Sequence, residues 1–173
     1  MYANWCAIAD NVPMRLLDSP ADWLVHLWRR LSPWPGGKWL FSFMLARAVP
    51  YTGTLRAQVL AVAPGYACVA LNDRRRVRNH LRSIHALALA NLGEFASALS
   101  MMSAAPRGLR MIVTQLSIDY LKKARGRLTA EGRSQLPATI TTETEQMVFA
   151  DIRDASGEVV ARVAVKWLLR PRA

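Results

Sequence analysis

The sequence predicts an α+β domain in which an antiparallel sheet curls around one long helix. Three observations carry this. The stretch from Ser83 to Met101 is built almost wholly from Ile, Ala, Leu, Phe and Met, and Glu94 is its only charged residue. A helix that is apolar nearly all round belongs in an interior. Several segments of the second half alternate apolar and polar residues at period two, the pattern of antiparallel strands with one covered face. Two shorter apolar segments at helical spacing come first in the chain.

Taken in order, residues 1–20 show no pattern and are expected to form an N-terminal extension. Ser19-Pro20-Ala21-Asp22 starts a helix, with Ser as cap and Pro in the first turn. Trp23, Leu24, Leu27, Trp28 and Leu31 then recur at helical spacing, and Pro33, Pro35, Gly36 and Gly37 break the pattern. A second apolar helix is expected over Lys38–Ala48, so residues 21–50 form a helical segment packed on a main domain of residues 51–173. Leu55, Ala57 and Val59 alternate with Arg56 and Gln58 and predict a strand. Pro64-Gly65 turns the chain into a second strand, Tyr66–Leu71.

A basic loop follows, with Arg74, Arg75, Arg76, Arg78, His80 and Arg82, and leads to Ser83 as the expected cap of the long helix. After Pro106 and Gly108, Ile112, Thr114, Leu116, Ile118 and Tyr120 are expected on one face of a strand. Gln115, Ser117 and Asp119 take the other. Leu128 and Ala130, then Val148, Ala150 and Ile152, repeat the alternation. Asp154-Ala155-Ser156-Gly157 reads as a hairpin turn. Val159, Ala161, Val163, Val165 and Trp167 then line the inner face of a last strand.

With 173 residues, 52% hydrophobic and 20% charged, the chain suits one globular domain with a real core and not a disordered segment. Its net charge of +11 favours an anionic partner: nucleic acid, anionic lipid or a phosphorylated small molecule such as coenzyme A. A basic surface without a special partner is the plain alternative. No recognition helix or single-strand-binding motif is present, so nucleic acid ranks last. Cys6 and Cys68 lie far apart without CxxC spacing, and the three histidines are scattered; no disulfide framework or metal site is expected. No secretory signal pattern opens the chain and neither apolar run makes a membrane span, so the cytoplasm is the expected location.

Glu94 is the best functional clue. An ionised carboxylate in an apolar helix is costly to bury and is normally paired, neutralised or used in chemistry. The stretch Asn79-His80-Leu81-Arg82-Ser83-Ile84-His85-Ala86-Leu87-Ala88-Leu89-Ala90-Asn91-Leu92-Gly93-Glu94 resembles the active-site segment of hotdog-fold acyl-CoA thioesterases of the phenylacetate-pathway type. Those carry an Asn in the loop, His-Gly-Gly at the helix start and Leu-x-Asp further along. A thioesterase-like branch of the same superfamily resembles the chain more broadly. It shares Pro50-Tyr51-Thr52-Gly53, Asn91-Leu92-Gly93-Glu94, Asp119-Tyr120-Leu121-Lys122-Lys123-Ala124-Arg125-Gly126 and Val165-Lys166-Trp167. The similarity runs from about residue 21 to the end. Two positions depart: Ala86-Leu87 stands where the family has Gly-Gly, and Glu94 where it has Asp.

The resemblance implies a hotdog fold, a homodimer or homotetramer with sites between subunits, and an acyl-CoA or acyl-carrier thioester as substrate. No cofactor is implied beyond coenzyme A as part of the substrate, and no metal. Glu94 is then a general base on water or a nucleophile forming an anhydride; as a structural Glu it would bond a strand or face solvent. The backbone N–H of Ala86 is the candidate oxyanion donor at the helix N-terminus. Asn79 is a candidate for orienting water or the carbonyl, or for bonding its own loop. His85 is a candidate for bonding the acyl carbonyl, or for capping the helix. Asn91 and Ser97 flank Glu94 by one turn and can orient it or simply pack, and Thr114 or Gln115 is a candidate for facing the pocket of a partner subunit. Arg76, Arg78 and Arg82, and Lys122, Lys123 and Arg125, are candidate contacts to the phosphates of coenzyme A, or a solvated surface. The tryptophan-rich helices with Arg29, Arg30 and Lys38 admit a peripheral membrane contact, or else pack over the sheet or cover the acyl tunnel.

Overall fold

A computed structural model describes residues 20–106 and 108–171. The expected extension at the N-terminus lies outside the described residues, apart from Pro20. Helices α1 (Pro20–Leu31), α2 (Gly37–Ala48) and the one-turn α3 (Pro50–Gly53) precede strands β1 (Gln58–Ala63) and β2 (Tyr66–Leu71). After a 3₁₀ turn at Arg75–Val77 comes the central helix α4 (Ala86–Ala104). It is followed by β3 (Leu109–Tyr120), β4 (Leu128–Arg133), β5 (Thr144–Arg153) and β6 (Val159–Pro171). The six strands form one antiparallel sheet in the order β1-β2-β4-β5-β6-β3. The sheet wraps α4, which is the expected hotdog arrangement. Among the described residues no helix is long and apolar enough to cross a membrane.

Helix and sheet approach so closely that two glycines are required. A Cβ on Gly132 of β4 would fall 2.4 Å from the Ala96 carbonyl oxygen, and one on Gly93 of α4 would fall 2.3 Å from Val163 of β6. Beneath α4 lies a core of Leu89, Leu92, Ala96 and Leu99 from the helix with Val69, Leu71, Ala130, Ala150 and Val165 from the strands. Burying each large aliphatic side chain contributes about 1.5–3 kcal/mol. Leu24, Trp28 and Phe41 of the first two helices join the same cluster. Trp28 meets Phe41 edge-on at 5.1 Å.

Three sequence expectations shift, each for a local reason. The long helix begins at Ala86, capped by His85, whose side chain accepts from Leu87 N–H. Ser83 is unavailable as cap because its hydroxyl donates to the Ala124 carbonyl. The first strand begins at Gln58, because Arg56 takes a positive φ of 48° and the chain turns there. The expected single face of the strand after the helix is split by a bulge between Val113 and Gln115. Past the bulge Leu116, Ile118 and Tyr120 pair with the inward-facing Val165, Val163 and Ala161. Before it Met111 and Val113 take that face and Ile112 is turned out, 53% exposed. A bulge inserts one unpaired residue and inverts the alternation.

Candidate functional site

The loop from Asp73 to Ser83 and the loop after β3 are sewn together before the helix starts. Ile84 N–H donates to the Ala124 carbonyl and His85 N–H to that of Val77. Asp73 accepts from Gly126 N–H at 2.9 Å and pairs with Arg78 at 2.5 Å. Arg78 and that backbone donor hold the Asp73 carboxyl below the usual range. The two loops enclose an open cleft of about 380 Å³ at the N-terminus of α4, with Asn79, Ser83, Ala86, Tyr120 and Lys123 among its lining.

Ala86 N–H, the first amide of the helix, has no acceptor among the described residues, whereas Leu87 N–H is taken by His85 Nδ1 at 3.1 Å and Ala88 N–H by the His85 carbonyl. A free first-turn amide carries the positive end of the helix dipole, and Ala86 is part of the cleft lining. Asn79 Oδ1 accepts from Leu81 and Ser83 N–H at 2.9 and 3.1 Å, which fixes the loop and leaves only its amide NH₂ for a ligand. The imidazole of His85 is exposed, with Nδ1 committed to the cap.

Glu94 sits elsewhere on the same helix. Ala96 packs on β4, and Ser97, about 100° further round, receives the indole N–H of Trp167 on β6 at 2.8 Å. The same turn from Gly93, which rests on Val163 of β6, brings the chain to Glu94. Its side chain therefore points past β6, toward the side of the sheet that ends in β3. Glu94 is half-buried, no donor among the described residues reaches its carboxyl, and desolvation raises its pKa. Its neighbour one turn back, Asn91, carries a buried Oδ1 that has no partner among the described residues.

The remaining candidates divide. Lys122 and Lys123 line the cleft. Lys122 pairs with Glu158 and, at 3.7 Å, with Asp154, whereas Lys123 has no ion pair among the described residues. Arg76, Arg82 and Arg125 are exposed and do not line the cleft, and Arg78 is tied to Asp73. Ser97 is fully buried against Trp167 and is held by the sheet, not by Glu94. Thr114 sits exposed at the bulge of the edge strand, its hydroxyl 3.3 Å from the Lys166 carbonyl.

Tyr120, which lines the cleft and donates to the Ala86 carbonyl at 3.2 Å, was not among the residues singled out from the sequence. The signal was present: Tyr120 falls inside the Asp119–Gly126 segment that carries the family resemblance, where only the cations drew attention.

Ala86 and Glu94 are about 12 Å apart along the axis of the helix. Within one protomer the free amide and the carboxyl do not converge on one atom, and Glu94 is not part of the cleft lining.

None of the curated proteins compared matches this chain. Solved structures do. A structural-genomics crystal structure is 26% identical with a TM-score of 0.73, over 87% of this chain and 98% of that one. A Pseudomonas aeruginosa protein of unknown function, described as a probable thioesterase, is 20% identical with a TM-score of 0.66, over 76% and 93%. A Streptococcus mutans protein solved with acetyl-CoA bound is 20% identical with a TM-score of 0.57, over 68% and 91%. These likenesses establish the hotdog fold. The family model described as "Domain of unknown function (DUF4442)" matches residues 37–169, and the chain belongs to that family.

Proposed function

We propose that the protein hydrolyses acyl-CoA or acyl-carrier thioesters to free acid and thiol. The observation that carries this reading is the presence, on one helix of a hotdog fold, of a half-buried carboxyl and a first-turn amide, neither with a partner among the described residues. Thioester hydrolysis needs both: a base or nucleophile, and a donor aimed at the developing oxyanion. The probable-thioesterase description of the Pseudomonas aeruginosa neighbour and the acetyl-CoA bound to the Streptococcus mutans one support the same chemistry.

In this reading two copies complete each site. The separation of Ala86 and Glu94 along the helix asks for a second protomer to bring one copy's amide to the other copy's carboxyl. The edge strand β3 supplies a route: it is long, open on one side, and Ile112 and Leu116 on it are exposed. An unpaired edge of this kind is unsafe unless covered. A homodimer, or a homotetramer of two such pairs, follows.

Glu94 as general base takes a proton from water as the water oxygen attacks the thioester carbon. Ala86 N–H holds the oxyanion, assisted by the NH₂ of Asn79. Collapse of the tetrahedral intermediate breaks the C–S bond, and the thiolate takes the proton back from Glu94. As nucleophile, Glu94 instead attacks the thioester carbon and expels the thiol as thiolate, breaking the C–S bond; water then opens the resulting acyl anhydride to release the acid and restore the carboxylate. Asn91 lies one turn from Glu94 and orients it. Lys123, with Lys122 beside it, meets the phosphates of coenzyme A, with Arg76, Arg82 and Arg125 further out. No metal and no cofactor enters these steps. A coenzyme A thioester substrate goes with the cytoplasmic location expected from the sequence.

One observation favours a second reading, a non-catalytic acyl-CoA-binding module: Glu94 is absent from the cleft that holds Ala86 and Lys123. Thiol release from a panel of acyl-CoAs separates the two. Hydrolysis that falls at least a hundredfold in Glu94→Ala supports the enzyme. Equal, slow release by both forms ends that reading, and acyl-CoA binding without turnover supports the module.

A further inference from the structure

Helix α2 is apolar on its outer face as well as its inner one, unlike an ordinary surface helix. Its inward face is Gly37, Phe41, Ser42 and Leu45, all buried. At 100° per residue, Trp39, Phe43, Arg47, Leu40 and Met44 fall on one outward arc, and all five are exposed. Trp39 is 64% and Phe43 50% exposed, and their rings stack at 5.5 Å with 13° between planes. Trp34 before the helix and Tyr51 after it are 71% and 69% exposed. A run of large apolar side chains at this density is not scattered surface hydrophobicity; it marks a docking face.

The charge around it names the occupant. From Trp23 to Asn72 the chain contains no Asp or Glu, and Arg29, Arg30, Lys38, Arg47 and Arg56 in that segment are all exposed. Arg47 stands within the apolar arc itself. Two copies of such a face would bring cation against cation, which disfavours self-association through it. An aromatic and aliphatic helix face that carries Arg47 and lies in an acid-free, basic stretch of chain suits an anionic bilayer surface, where rings seat at the headgroup boundary and each nearby Lys or Arg adds about 1 kcal/mol.

We propose that α2 is an in-plane membrane anchor that docks the protein on anionic lipid. The helix lies along the surface with Trp39, Leu40, Phe43 and Met44 at the acyl–headgroup boundary and Arg47 at the phosphates. The inference does not depend on thioester hydrolysis.

The test is sedimentation of the full-length protein with vesicles of phosphatidylcholine alone or mixed with phosphatidylglycerol. Wild type is expected to bind the mixed vesicles on the order of tenfold more tightly than neutral ones, with a blue shift of tryptophan emission, and to be released by salt. Trp39→Ser with Phe43→Ser, both exposed positions, is expected to lose binding about tenfold while keeping the wild-type Tm. Arg47→Glu keeps the apolar face and lowers binding to the mixed vesicles alone. Three results overturn the proposal: no binding by wild type; equal binding by wild type and the Trp39/Phe43 variant; or ultracentrifugation in which that variant breaks an oligomer that wild type forms, which makes the face a protein interface. Failure on vesicles with intact thioesterase activity would leave the hydrolysis reading untouched.

Discussion

Trp167 of the last strand donates its indole N–H to Ser97 Oγ at 2.8 Å inside the core, one turn past Glu94 on the central helix. Both side chains are buried. The bond fixes the rotation of the helix over β6, and with it the direction of Glu94. Ser97→Ala leaves the indole N–H buried and unpaired, at about 1–3 kcal/mol, and lowers the Tm. Trp167→Phe combined with Ser97→Ala is expected to cost less than the sum of the single changes, because neither partner is then orphaned. A denaturant-unfolding double-mutant cycle measures this coupling.

Gly93 and Val163 set the height of the helix above the sheet at the same place. A methyl group on Gly93 meets Val163 at 2.3 and 2.6 Å, so Gly93→Ala lifts α4 or distorts β6, at about 1–3 kcal/mol. Val163→Ala removes the obstructing γ-carbons. The double variant is expected to recover much of the loss, read as the midpoint of chemical denaturation. If Val163→Ala does not relieve Gly93→Ala, close packing is not the reason for the glycine.

The sheet and its central helix were legible in the sequence because both rest on periodicity. Val148, Ala150 and Ile152 alternate with polar residues, and the Ser83–Met101 run is apolar on nearly every side. Periodicity fails where one residue changes the phase. The bulge at Thr114 sends Ile112 outward, and nothing within that strand announces it, since the extra residue is defined only by pairing with β6. Caps fail for a similar reason. Ser83 has the chemistry of a cap, but a backbone carbonyl distant in sequence, at Ala124, claims its hydroxyl. Glu94 stood out as the lone charge of its run, whereas Tyr120 enters the cleft only once the β3–β4 loop is sewn to the helix start. Lys122 and Arg78 were legible as cations, but their ion pairs with Glu158 and Asp73 were not.

The cap of the central helix gives an independent check on the oxyanion donor. His85 Nδ1 accepts Leu87 N–H, and Ala86 N–H has no acceptor among the described residues. His85→Ala removes the acceptor and is expected to cost about 0.5–2 kcal/mol. His85→Asn supplies another capping oxygen and restores most of that stability. If His85 serves as cap alone, His85→Asn keeps turnover near wild type. A variant with wild-type Tm and a hundredfold lower kcat would place the imidazole on the substrate.

The pH dependence of the protein follows from Glu94. Burial raises its carboxyl above the ordinary value, and among the described residues no ion pair opposes the shift. Because the folded pKa exceeds the unfolded one, the associated stability is fully present below the ordinary carboxylate range and is lost as pH rises through the folded value. Above that value the chain holds a desolvated charge, and that is also the form a general base needs. Wild type is therefore expected to gain activity and lose stability across the same pH interval. Glu94→Gln removes the charge, so it should abolish turnover and raise the Tm at pH 8, by about 2–4 °C for each kcal/mol relieved. At pH 4, where the wild-type carboxyl is protonated, the two proteins should melt together. Scanning calorimetry across this range checks the sign. A Glu94→Gln protein that melts below wild type at pH 8 would mean that the carboxylate is held by donors in solution, and a base activated by desolvation would have to be abandoned.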